Sequence, residues 1–303
     1  MSRRCGPGAL VPAARRSRRP PGFRVDPRLP WRRSERAKEA DIRPVVQEPR
    51  PEENGAVTDA PRDLVDYVEQ YRALPFEPLQ IAFRRRRVLA RVAAHGPRRL
   101  LEIGCGESPI FLDLPGLETV VVEPAPAFAA NARRLADGRP EVTVLERYAE
   151  DLDASDGPFD MVVVSCLLHE VPDPQRLLAA ARRLCAAGGV LHVNVPSARS
   201  LHRLLAVAMG LIPDVTTESD TQRTMQQRGV YDAAGLEGEL HRAGFAVTHR
   251  GSIFVKPFTH AQMQHLVDEQ FLTSQMLDGL DALALLLPDL GSELWMDAEP
   301  VDA

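Results

Sequence analysis

The stretch that most constrains this chain is Leu100-Leu101-Glu102-Ile103-Gly104-Cys105-Gly106. Leu100, Leu101 and Ile103 make the short apolar run of a strand buried on both faces of a parallel sheet. The run closes on Gly104 and Gly106, which ask for a tight turn whose backbone approaches a ligand that side chains would obstruct. A strand ending in such a turn, at the C-terminal edge of an open α/β sheet, is where nucleotide-like cofactors bind. A dinucleotide fingerprint would need a third glycine at position 109, and Pro109 stands there. An acid about 20 residues beyond the turn, at the end of the second strand, holds ribose hydroxyls in such folds. Glu123, closing Thr119-Val-Val-Val-Glu123, occupies that place.

The run Glu102-Ile103-Gly104-Cys105-Gly106-Glu107-Ser108 resembles the first motif of class I S-adenosylmethionine (SAM)-dependent methyltransferases. Ser108 stands where that family usually has a third small residue. The following pattern alternates as a parallel α/β unit should. Strands are expected at about 99–103, 118–123, 141–145, 159–165 and 190–195. Helices are expected from Pro126 to Leu135, from Pro174 to Ala187 with Gly188-Gly189 as a stop, and from Ala233 to Ala243. Phe245–His249 and Ser252–Lys256 read as a strand pair about a turn at Arg250-Gly251. The expectation is a Rossmann-like, doubly wound sheet, mostly parallel with a C-terminal antiparallel hairpin and helices on both faces. The resemblance covers about residues 85–258.

That resemblance implies SAM as cofactor, bound by Glu102, Gly104, Cys105, Gly106, Glu123 and Pro124. It also implies that Glu150 or Asp151, in Tyr148-Ala-Glu-Asp-Leu152, lies near the adenine amino group, and that Cys166 and Leu167 run along the cofactor. His169 falls at the sheet edge where a general base would serve an alcohol acceptor, although relatives carry a structural His there. Tyr71 and Phe76, on helices ahead of the first strand, are candidate pocket residues. Arg228 in Gln226-Gln-Arg-Gly229 is a candidate for an anionic acceptor group. The implied enzyme is of the small-molecule type, similar to ubiquinone O-methylase-like methyltransferases, and His169 with the polar loop from Thr216 to Arg228 points to a hydroxyl of a sugar-like or secondary metabolite as the methylated group. Three alternatives stand beside it: an N-methyltransferase of a small amine, a non-catalytic SAM-binding module, and a nicotinamide oxidoreductase, which Pro109 disfavours.

The remaining chain divides by composition. Residues 1–55 are Arg- and Pro-rich, with thirteen Arg or Lys against four Asp or Glu through Arg43, in a chain of net charge −5. With no helical or strand period they read as a disordered basic arm. A tail or overextended start, an organellar transit peptide, and an arm touching nucleic acid or anionic lipid remain open for it. Residues 56–97 read as two helices forming a lid, 98–258 as the core with a substrate insert at 196–230, and 259–303 as a helical extension with a loose acidic tail. The apolar side of the C-terminal helices suits packing or a homodimer. No apolar run approaches the ~18–20 residues that span a bilayer. The four cysteines lack paired spacing, which fits reduced thiols in a cytoplasmic protein. No His or Cys cluster has zinc spacing, and the acidic core disfavours a nucleic-acid substrate. A small-molecule acceptor is the expected partner.

Overall fold

Strands that alternate with amphipathic helices bury both faces of a sheet, and the computed structural model carries this out over seven strands. It describes residues 63–301 apart from 220, 221 and 224. The basic arm expected at 1–55 lies outside the described residues. The strands are β1 (Arg99–Ile103), β2 (Glu118–Val122), β3 (Val142–Leu145), β4 (Phe159–Ser165), β5 (Cys185–Pro196), β6 (Phe245–Ile253) and β7 (Glu293–Pro300). They are ordered β3-β2-β1-β4-β5-β7-β6. The first five run parallel, and β7 lies antiparallel between β5 and β6.

Alternation along the strands sorts the helices. On one face Leu100, Met161 and Val163 pack against Val88 and Val92 of α2 (Glu77–His95). Val121 on the same side meets Ala132 of α3 (Pro126–Leu135). On the other face Leu101, Ile103, Val162 and Val164 share a cluster with two helices. These are α4 (Pro174–Leu184), through Leu177, Leu178 and Ala181, and α6 (Ala233–Arg242), through Leu236 and Leu240. Ahead of α2, α1 (Leu64–Ala73) is capped by Asp63, whose carboxylate accepts from the N–H groups of Val65 and Asp66.

Three expectations need correction. Helix α4 stops at Leu184, and Gly188-Gly189 lie inside the long β5, because a Cβ at Gly189 would meet the Phe159 and Ala186 carbonyls at 3.0 Å. Phe245–Ile253 is one strand with no turn at Arg250-Gly251; Gly251 is required because a Cβ there would sit 2.9 Å from Trp295 Nε1. The supposed loose tail from Ser292 is β7, and it is the antiparallel partner of β6. The C-terminal extension holds α7 (His260–Asp268) and α8 (Ser274–Leu283), separated at Gln270, which has φ of 58°. The amphipathic helix expected in the insert is α5 (Leu201–Ala208).

Candidate active site

The turn after β1 is built from backbone geometry. Gly104 and Gly106 have φ of 75° and 53°, in the left-handed region that an L side chain resists. A Cβ on Gly104 would meet Leu167 Cδ2 at 3.0 Å, and one on Gly106 would point toward Tyr71 Oη at 3.7 Å. Gly104 N–H donates to the Val122 carbonyl at 2.9 Å, tying the turn to β2. Asn131 of α3 donates to the Glu107 carbonyl at 2.9 Å, and Arg85 of α2 to that of Ser108 at 2.8 Å.

Two buried acids brace this turn. Glu123 accepts from the N–H groups of Cys105 at 3.1 Å, Gly106 at 3.3 Å and Ala125 at 2.9 Å. Burial pushes its carboxyl up, and those three backbone donors pull it back. Glu102 accepts from the Ile110 N–H at 3.0 Å, and burial pushes its carboxyl up to about 8. Below a pH near 4.5, the ordinary carboxyl value, Glu102 is protonated folded or unfolded. As pH rises toward about 8 the folded state alone retains the proton, so stability falls through that window and levels off above it. Gln keeps the acceptor for Ile110. Glu102→Gln is therefore expected to raise Tm over wild type by roughly 5 °C or more at about pH 8.5, with the gain vanishing near pH 4. Paired thermal melts across that range check it, and a pH-independent difference would contradict it.

A single cavity of about 840 Å³ opens from this turn. Its lining includes Glu102, Gly104, Cys105, Gly106, Glu123 and Pro124, together with Glu150, Asp151, Cys166, Leu167, His169 and Tyr71. Glu150 is half-buried and Asp151 exposed. Cys166 has φ of 54°, a strained position for a residue with a side chain, and its N–H donates to Asn194 at 2.9 Å. Burial holds its thiol well above the usual range, in the protonated form. His169 is buried; its carbonyl accepts from the N–H groups of Arg228 and Gly229 at 2.8 and 3.0 Å, and its Nε2 stands 3.6 Å from Glu170 Oε1. Tyr71 packs edge-on against Phe128, with ring centroids 5.9 Å apart.

Two expected pocket residues are not among the lining. Phe76 is fully buried in an aromatic cluster with Phe83 and Phe254. Arg228 meets His169 through its backbone, whereas the lining arginines include Arg84 and Arg203. The lining also holds charged residues that the sequence did not single out: Glu77, Arg84, Lys256 and Glu293, with His202 and His260. Arg84 Nη2 donates to Glu293 at 2.7 Å and to Glu77 at 3.1 Å, and Asn194 donates to Glu293 at 3.0 Å. One signal was available: Lys256 ends the apolar run Ile253-Phe-Val, and a charge at the end of a buried run needs a partner. Among the described residues no group of three or more His, Cys, Asp or Glu is placed to hold a metal ion. No described helix is long and apolar enough to cross a membrane.

Comparisons with known proteins agree with this layout. Residues 101–193 match the family described as methyltransferase domain. A phosphatidylethanolamine N-methyltransferase of Cereibacter sphaeroides is 33% identical over 134 residues, which is 42% of this chain and 64% of that protein. A trans-aconitate 2-methyltransferase of Methylobacterium radiotolerans is 30% identical over 173 residues, 52% of this chain and 65% of that protein. The chain thus spans just under two thirds of the length of these relatives. A solved structure from Galdieria sulphuraria, assigned as a sarcosine dimethylglycine methyltransferase, superposes with a TM-score of 0.50 at 11% identity, covering 72% of this chain and 85% of that one. That likeness shows a shared fold.

Proposed function

We propose that this protein transfers a methyl group from SAM to a hydroxyl oxygen of a small molecule, in the manner of the ubiquinone O-methylase-like enzymes. The observation that supports the reading most is the meeting of the glycine turn and Glu123 on the wall of one cavity, within the segment that matches a methyltransferase domain. The residues fit the cofactor. The left-handed glycines leave a cradle that a Cβ would fill, and Glu123 offers a fixed carboxylate to ribose hydroxyls. Glu150 or Asp151 answers the adenine amino group, and Glu102, Cys105, Pro124, Cys166 and Leu167 complete the wall. When bound, SAM supplies a methyl group already activated by its sulfonium.

The remaining work of the chain is to align the acceptor and keep water out. In this reading α1 and α2 close one side of the cavity, with Tyr71 above the turn, and the insert 196–230 closes another. Arg203 of α5 pins that insert by donating to the Val215 carbonyl at 2.9 Å and to Gln222 Oε1 at 3.1 Å. An alcohol needs its proton removed as the methyl transfers. A ring nitrogen of His169 takes it, with Glu170 orienting the ring.

Isotope-labelled SAM offered with panels of hydroxyl and amine acceptors tests the assignment. Wild type is expected to label a hydroxyl, and His169→Gln to lower kcat roughly 100-fold with the KM for SAM unchanged. An undiminished kcat would remove His169 from the chemistry. Labelling confined to amines would make the protein an N-methyltransferase, and cofactor binding with no transfer to any acceptor would make it a binding module.

A further inference from the structure

Of the 37 Lys and Arg residues in this chain, only Lys38 and Lys256 are lysines. In a chain that otherwise uses arginine, Lys256 stands in the cavity wall, 1% exposed, directly after β6 and its continuation Phe254-Val255. A buried ammonium has three N–H donors and a charge to satisfy. Its Nζ meets one imidazole, that of His260 on α7, at 3.0 Å from Nδ1 and 3.2 Å from Nε2. That ring is neutral, because burial and the charges of Lys256 and Arg84 push it down to about 3.

The nearby acids Glu293 and Glu77 act on Lys256 electrostatically and favour its charged form, but their hydrogen bonds run to other groups. Glu293 of β7 takes Arg84, Gln80 and Asn194, and Glu77 of α2 takes Arg84, with its second oxygen 3.7 Å from His260 Nε2. From α5, His202 lines the same cavity. Its Nδ1 is buried and has no hydrogen-bond partner among the described residues, and burial with the charges of Lys256, His260 and Arg203 pushes the ring down to about 2. Among the described residues, the cavity therefore carries a buried ammonium whose direct hydrogen-bond partner is a neutral imidazole, near a second neutral imidazole with an unused ring nitrogen. A cationic ligand would be repelled by Lys256, and a neutral hydroxyl would offer its free N–H groups a weaker acceptor than an anion does. A carboxylate or phosphate oxygen satisfies both, pairing with the ammonium and accepting from the imidazole N–H.

We propose that Lys256 and His202 form a subsite for an anionic group, a carboxylate or a phosphate, carried by the acceptor molecule. The assignment of that anion to the acceptor rests on the methyltransferase reading; the subsite itself does not. It also differs from the anion site expected at Arg228, whose side chain is not part of the cavity lining. Burial, opposed by the charges of Glu77 and Glu293, pushes Lys256 down to about 8, so its positive charge, and with it anion affinity, is lost as pH rises beyond that value.

The full-length protein is titrated calorimetrically with inorganic phosphate and, separately, with malonate, each with and without saturating S-adenosylhomocysteine. Saturable one-site binding of at least one anion is expected at about pH 7.5, weakening roughly tenfold or more by about pH 9.5. The arm that binds more tightly distinguishes phosphate from carboxylate. Lys256→Met and His202→Ala are each expected to weaken anion binding at least tenfold and to leave the affinity for S-adenosylhomocysteine unchanged. Absence of saturable binding of either anion, equal affinity at the two pH values, or undiminished binding in Lys256→Met would each overturn the subsite. The pH comparison uses wild type alone and so stands even if a variant fails to fold. Failure to bind S-adenosylhomocysteine, with anion binding intact, would count against the cofactor reading only.

Discussion

Truncation after Leu290 is expected to yield a chain with no cooperative thermal transition. The thirteen residues removed include β7, which bonds to β5 on one side and is the sheet partner of β6 on the other. Leu294, Trp295, Met296 and Ala298 are buried in the two main clusters. Burying a Leu or Met contributes about 1.5–3 kcal/mol, so with Trp295 the loss approaches the ~5–15 kcal/mol by which whole domains are stable. The polar side of β7 adds to it. Asp297 is fully buried and accepts from His192 Nδ1 and Arg91 Nε, both at 2.7 Å, with His95 Nε2 at 2.9 Å. Burial would raise its carboxyl, but the hydrogen bonds from His192, His95 and Arg91 hold it well below the usual range. Removing it strands those donors. Circular dichroism melts of the truncated chain check this, and a sharp transition near that of the full chain would contradict it.

The second large effect is expected from Arg84→Met. Arg84 sits with Glu77 and Glu293 where all three are nearly excluded from solvent. The substitution leaves two buried carboxylates without their guanidinium, and breaking a buried pair from one side costs about 3–5 kcal/mol. For a chain of this size that lowers Tm by roughly 10 °C. Much of the cost is the uncompensated charge, so adding Glu293→Gln to Arg84→Met is expected to restore part of the lost stability. Thermal melts of the single and double variants measure both. A loss within about 1 kcal/mol for the single variant would mean that the three groups are less buried and less coupled than their geometry indicates.

Arg84 and β7 also explain where sequence reading stopped short. Strands β1 to β4 and the second half of β5 were legible because each is a short stretch dominated by apolar residues, and the glycine turn, Glu123 and Cys166-Leu167 were placed because they follow strand ends at expected spacings. Glu293-Leu-Trp-Met-Asp-Ala-Glu-Pro300 reads as an acidic tail because its charges have no local partner. Those partners are Arg84 and Arg91, more than 200 residues away. Arg250-Gly251 looked like a turn because the close approach of Trp295, which demands the glycine, belongs to that same unrecognised strand. The group around Lys256 was hidden for the same reason: α2, α5, α7, β7 and the segment after β6 each give it one or two residues. What a single stretch of chain encodes was read, and what distant stretches assemble was not.

The most direct test of the central claim is calorimetry of the full-length protein with SAM and with S-adenosylhomocysteine, repeated on Glu123→Ala. Roughly micromolar one-site binding is expected for wild type. In the proposed reading the Glu123 carboxylate answers the ribose hydroxyls, so affinity is expected to fall about 100-fold without it, since hydrogen bonds to a charged group contribute about 1.5–3 kcal/mol each. No binding to wild type, or equal affinity in Glu123→Ala, would contradict the assignment of the glycine turn and Glu123 as the cofactor site.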